Sequence, residues 1–174
     1  MTEVRKSAET EDNFLEEEEE DTQKDKYLTF KIADEDYAID ISHVRDIIRI
    51  QKITDVPDTE AYLKGVINLR GKVIPVIDVR VRFKLPEMEY DDRTCIIVVN
   101  MNDILTGLIV DRVNEVIDIP ESKVDDPPST GRKKESQYIS GMGKVGESVK
   151  MILDINKLLG EESMKELKKT SEEN

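Results

Sequence analysis

The chain of 174 residues has no tryptophan, a single cysteine and a single histidine. Cys95 closes no internal disulfide, and with His43 as the sole imidazole there is no cysteine–histidine set for a structural zinc site. A hydrolytic triad would have to use His43, yet no G-x-S-x-G stretch presents a nucleophile. No G-x-x-x-x-G-K-[ST] string is present to cradle a nucleotide. Gly141-Met142-Gly143 lacks the helix start that a phosphate site needs, and reads as a bulge or tight corner. No segment approaches the roughly 18 uninterrupted apolar residues of a membrane span. No apolar run follows a basic start, so no signal peptide is expected. Lys and Arg form no stripe able to track phosphates, which argues against nucleic acid as a partner. These absences favour a soluble, cytoplasmic protein.

Acid is what the chain has in excess. The formal net charge is −13. Residues 1–25 hold eleven acids against three bases, a net of −8, which leaves −5 for the rest. The run Glu16–Asp21 repels itself and has little to bury, so 1–25 reads as a disordered tail, first as a solubilising one and otherwise as an interaction tail with Phe14 and Leu15 as a short apolar hook.

Order is expected from Lys26. Leu28, Phe30 and Ile32 alternate with Tyr27, Thr29 and Lys31, the period of a strand. A turn of four or five residues around Asp34, Glu35 and Asp36 leads to a second strand, Tyr37 to Asp40. Ser42 is placed to cap a short helical turn, with Val44, Ile47 and Ile48 on one apolar face at i, i+3 and i+4. Thr59 is placed to cap another, through Leu63. Residues 65–80 are rich in β-branched side chains and read as strands on either side of Arg70-Gly71. Pro75 within them points to an edge or a bulge. Asp78 is placed to cap a helical turn through Phe83. Thr94–Val99 and Ile104–Val110 form a hairpin, and 113–119 extends again. Residues 120–136 read as a long polar loop. Tyr138–Val145 and Ser148–Leu153 form a last hairpin around Gly146. Asp154 caps a closing helix that Gly160 stops, and 161–174 is a further short helix with a frayed end. Many short strands with brief helices make the fold mainly β, in closed or nearly closed barrels.

Gly65-Val66-Ile67-Asn68-Leu69-Arg70-Gly71, followed by Pro75-Val76-Ile77-Asp78-Val79-Arg80, closely resembles the signature of the CheW family. Tyr37–Ile41, Gly107–Asp111 with Val113, Tyr138–Gly143 and Ile152–Leu159 resemble its other elements, in the same order. The resemblance covers about 26–160. It implies two small five-stranded β-barrels packed on each other, no enzymatic activity and no cofactor. It implies two partners: the cytoplasmic tips of chemoreceptors, and the regulatory domain of the histidine kinase CheA. The protein would then be a cytoplasmic adaptor at receptor arrays. The same domain occurs fused in CheA and CheV; at 174 residues the chain has no room for a kinase or receiver domain, so a stand-alone adaptor is expected.

The resemblance puts receptor contacts in the groove between the barrels, at Ile41, Val44, Asp46 and Cys95, with Gly65, Arg70 and Val73 nearby. Ile41, Val44 and Val73 read equally well as plain core. Asp46 and Arg70 are placed to form an ion pair that shapes the groove. Kinase contacts are assigned to Val124, Pro127 and Pro128. Two other functions compete: an adaptor of the same fold in a non-chemotactic receptor–kinase pathway, and a small-barrel enzyme. The enzyme would pair two carboxylates drawn from Asp111, Asp118, Asp125, Asp126 and Asp154.

Overall fold

The computed structural model describes residues 23–127 and 137–160. The expected tail therefore falls, up to residue 22, outside the described residues, and so do Pro128 and the helix expected over 161–174. Order reaches back to Asp25, whose carbonyl accepts the Ile119 N–H at 2.8 Å.

Eleven strands are described. They are β1 (Lys26–Ile32), β2 (Glu35–Asp40), β3 (Val44–Arg49), β4 (Leu63–Leu69), β5 (Lys72–Asp78), β6 (Cys95–Met101), β7 (Ile104–Val110), β8 (Arg112–Asp118), β9 (Val124–Asp125), β10 (Ile139–Val145) and β11 (Ser148–Leu153). Two short α-helices, α1 (Val79–Arg82) and α2 (Ile155–Leu159), follow β5 and β11. The first sheet has the order β8-β1-β2-β11-β10-β9 and the second the order β3-β6-β7-β5-β4. The second sheet is one continuous stretch of chain; the first is made from both flanks, joined where β2 pairs in parallel with β11 at Ala38↔Ile152.

Neither ladder closes on itself, yet both sheets roll. In the first, the outermost strands β8 and β9 are consecutive in sequence. Residues 119–123 between them reach at most about 20 Å, whereas six flat strands would hold the edges about 24 Å apart. In the second, the chain leaving β3 swings across to β4. Thr54 and Val66 exchange two backbone hydrogen bonds of 2.9 Å. At that crossing Gly65 has φ +145, and a Cβ there would stand 2.1 Å from the Thr54 carbonyl oxygen. The approach requires glycine.

Rolling gives the second sheet two buried faces. Ile97, Val99, Leu108 and Val110 pack with Leu28, Phe30, Tyr37 and Leu153 of the first sheet in one core. Ile96, Val98 and Ile109 point the other way and join Ile67, Ile74 and Val76 in a second core. A strand buried on both faces needs an apolar run and not alternation, which is why β6 reads Cys-Ile-Ile-Val-Val.

Several local expectations are corrected. The β1–β2 connection is only Ala33-Asp34, because Ile32 already pairs with Glu35. The turn before β3 is a 3-10 turn, Ile41–His43, capped by the Asp40 carboxylate and not by Ser42, whose N–H is the donor at 2.9 Å. Val44, Ile47 and Ile48 lie on strand β3, not on a helical face. A register shift around Arg45 separates Val44, which packs on the first core, from Ile48, which packs on the second. Thr59 caps no helix; its hydroxyl donates to the Val56 carbonyl at 3.1 Å. Pro75 is on an inner strand, but β5 pairs with β7 only from Val76 onward, so no ladder partner misses its N–H. Residues 121–125 form a 3-10 turn and β9 instead of plain loop. The caps at Asp78 and Asp154 stand as expected.

Candidate functional site

The two-residue turn Arg70-Gly71 joins β4 to β5, with φ of +52 and +86. Positive φ at both positions matches the twist of a tight hairpin, and the Asn68 side chain accepts the Gly71 N–H at 2.9 Å. The turn throws Arg70 outward, 83% exposed, to within 3.5 Å of Asp46 on β3. Asp46 also accepts the Ile47 N–H at 2.9 Å. The expected ion pair is thus present. It bridges the two outer strands of the second sheet and covers part of the edge that β3 leaves unpaired.

Beside the pair lies an open depression of about 560 Å³, lined by Arg45, Lys72, Val73, Ile74, Asp103 and Leu105 among others. Its wall mixes the apolar Val73, Ile74, Ile104 and Leu105 with the charged Arg45, Lys72 and Asp103. Neither His43 nor Cys95 reaches it, and Asp103 is its one carboxylate.

Of the residues assigned to the receptor, Asp46, Arg70 and Val73 come together at this rim. Ile41, Val44 and Cys95 are part-buried and pack against the main core. Cys95 pairs with Arg49, three register steps from the position of Asp46, and its thiol donates to the Arg93 carbonyl at 3.3 Å. Gly65 is buried against Thr54, so it serves the rim through the backbone only. Of the residues assigned to the kinase, Val124 is half-buried under Gly141, Pro127 is exposed, and Pro128 lies outside the described residues.

Four of the five carboxylates proposed for acid–base work are engaged elsewhere, and the fifth, Asp126, is exposed. Asp118 pairs with Lys26 at 3.4 Å, Asp125 pairs with Lys144 at 2.9 Å, and Asp154 caps α2. Asp111 takes the Arg80 guanidinium in two bonds of 2.6 and 2.7 Å and also accepts the Ala33 N–H at 2.8 Å.

This last cluster is a joint that sequence reasoning missed. Asp78, almost fully buried, accepts the N–H groups of Arg80 and Val81 at the start of α1 and the Tyr90 hydroxyl at 2.7 Å. Arg80 adds a bond to the Pro86 carbonyl, and Lys64 pairs with Glu87. The loop after α1, the β7–β8 corner and the β1–β2 hairpin are thereby tied at one point. Burial, and then the bond to Asp78, push the Tyr90 hydroxyl well above its ordinary pKa. Next along, Arg82 donates to the Leu158 carbonyl at 2.8 Å and stands 4.3 Å over the Tyr62 ring. The available signal was Asp78-Val79-Arg80 with Val110-Asp111, which the resemblance quoted without a reason for either pair.

Comparison with known proteins agrees with this architecture. The model of the CheW-like domain matches residues 26–163. The chemotaxis protein CheW of Bacillus subtilis is 41% identical over 139 residues, 80% of this chain and 89% of the relative. That of Klebsiella aerogenes is 34% identical over 139 residues, with 80% and 84% covered. The crystal structure of the scaffolding protein TtCheW from Thermoanaerobacter tengcongensis superposes with a TM-score of 0.74 at 33% identity, covering 80% of this chain and 94% of that one. A double-rolled β architecture in the right order, matched over nearly every described residue, places the chain in the CheW family.

Proposed function

We propose that this chain, an adaptor of chemotaxis signalling, holds a chemoreceptor tip at the Asp46–Arg70 rim while another face engages the regulatory domain of a CheA-type kinase. The observation that carries the reading is the exposed Arg70–Asp46 pair. An ion pair this open to water adds at most about 1 kcal/mol to stability, yet the tight turn and the covered edge hold it in one place. Val73 and the other apolar side chains of the depression offer a seat for the apolar stripe of a helix, and the charged ones offer a polar rim. The whole arrangement needs no reacting group.

The kinase face is assigned to Val124, Pro127 and Pro128. Support comes from β9, a two-residue outer strand of the first sheet, whereas the Arg70 turn belongs to the second. Such a protein works beside the membrane without entering it; among the described residues no helix is long and apolar enough to cross one.

The test is co-purification of the full chain with receptor cytoplasmic fragments and a CheA-type kinase. Wild type assembles a ternary complex that raises kinase activity. Arg70→Ala folds normally and loses receptor retention while keeping the kinase. Full coupling by that variant would end the rim assignment. Pairing only with a non-chemotactic receptor and kinase would favour the competing pathway.

A further inference from the structure

The strand β3 carries a row of cations that nothing among the described residues neutralises. Arg45 and Arg49 are exposed on it, and Lys72 faces Arg45 across the depression. None of the three side chains makes a hydrogen bond or ion pair with a described residue, whereas those of Arg70 and Arg80 both do. Between the two arginines stands Ile47, 42% exposed and one of the few large apolar side chains so open to water. The row is at odds with its surroundings: from residue 23 onward the chain is net negative by five, yet here three cations stand against Asp103 alone, because Asp46 is taken up by Arg70.

The same chain contains the complementary pattern. Residues 1–22 hold ten acids against Arg5 and Lys6, a net of −8, with Glu16–Asp21 uninterrupted and Phe14-Leu15 just before them. Topology leads from the first described residues to β3. Asp25 is pinned by its bond to Ile119. Two residues on, Tyr27 pairs with Asp40, and Asp40 opens the turn that delivers Val44 and Arg45. Three residues, a reach of about 14 Å over four Cα-to-Cα steps, separate Asp21 from Asp25.

We propose that the acidic stretch Glu16–Asp21 docks on β3 of its own molecule, its carboxylates against Arg45, Arg49 and Lys72 and its Phe14-Leu15 hook on Ile47. The contact is between side chains and not an added strand, because Asp46 already takes the Ile47 N–H and Arg70 stands over that edge. Being tethered, the tail acts at high effective concentration, so weak exposed charge pairs suffice. A partner for β3 must displace the tail. Where that partner is the receptor tip of the reading above, the tail competes with it; the docking itself does not depend on that reading.

The experiment uses the full chain labelled with nitrogen-15. Amide spectra are compared between wild type and a variant with Glu16, Glu17, Glu18, Glu19 and Glu20 all changed to Gln. Shift changes are expected at Val44–Arg49 and Lys72, unchanged on tenfold dilution. In wild type the same amides should move to the variant's positions at high salt, where a Debye length of about 3 Å screens exposed charge. A charge swap, Arg45→Glu and Arg49→Glu with Glu17→Lys and Glu19→Lys, should restore the wild-type tail signals that Arg45→Glu with Arg49→Glu abolishes. No change at β3, or changes centred on another face, would overturn the proposal. Changes at β3 that fade on dilution would overturn it too, by making a second copy's tail the occupant.

Discussion

Two arginine–aspartate pairs flank β5, and they do opposite things. Arg80–Asp111, at the end of the strand, is bidentate, with side chains 11% and 28% exposed, and it is embedded in further bonds to Ala33 and Pro86. Arg70–Asp46, before the strand begins, is a single contact of 3.5 Å whose arginine is open to water. The first joins three segments of chain and belongs to the fold. The second adds little to the fold, and the reading proposed above gives its geometry to a partner. Burial alone separates the two pairs, whose chemistry is identical.

Breaking the inner pair should give the largest effect. Arg80→Ala strands Asp111 without its cation, and a loss of about 3 kcal/mol is expected in urea unfolding. Arg80→Lys should recover only part, because an ammonium cannot make both bonds. Gly65→Ala comes next. It drives a Cβ into the Thr54 carbonyl and should cost about 2 kcal/mol, with weakened protection of the Val66 amide in hydrogen exchange. Arg70→Ala sharpens the contrast: a stability change below about 1 kcal/mol in the same urea experiment, against loss of receptor retention. The smallest effect is one of pH. Because the Tyr90 hydroxyl is raised in the fold, the unfolded chain releases that proton first. Its stabilising contribution is whole below the ordinary tyrosine value of about 10 and declines as pH rises beyond it. Tyr90→Phe should flatten the alkaline fall in stability measured by unfolding between roughly pH 9 and 11. Tyr27, also raised, first by burial and then by Asp40, leaves a residual slope.

Strand identity was legible wherever one face is buried or both are, as in β1 and β6. It failed at β3, where Val44 and Ile48 feed different cores across a register shift at Arg45 and so imitate a helical spacing. The caps at Asp78 and Asp154 could be read because an acid at a strand exit has a local use. The Arg80–Asp111 joint could not, since its members are 31 residues apart and each looks like an ordinary surface charge. The ion pair of Asp46 with Arg70 stands as expected, whereas Cys95 and Gly65, named by the same resemblance, lie elsewhere in space. Nothing in a sequence tells which apolar residue is spent on the core and which is left at a surface.

The parallel pairing of β2 with β11 carries a consequence for the order of assembly on the ribosome. Residues 44–110 can complete their sheet as soon as they have emerged. β1 and β2 must wait, with one flank uncovered, until Ile152 arrives to meet Ala38. A nascent chain halted after residue 127 would therefore present a finished second sheet and a three-stranded β8-β1-β2 sheet whose β2 edge is bare. Closing a loop of that length is slow, and the interval is when this polypeptide would most depend on a chaperone.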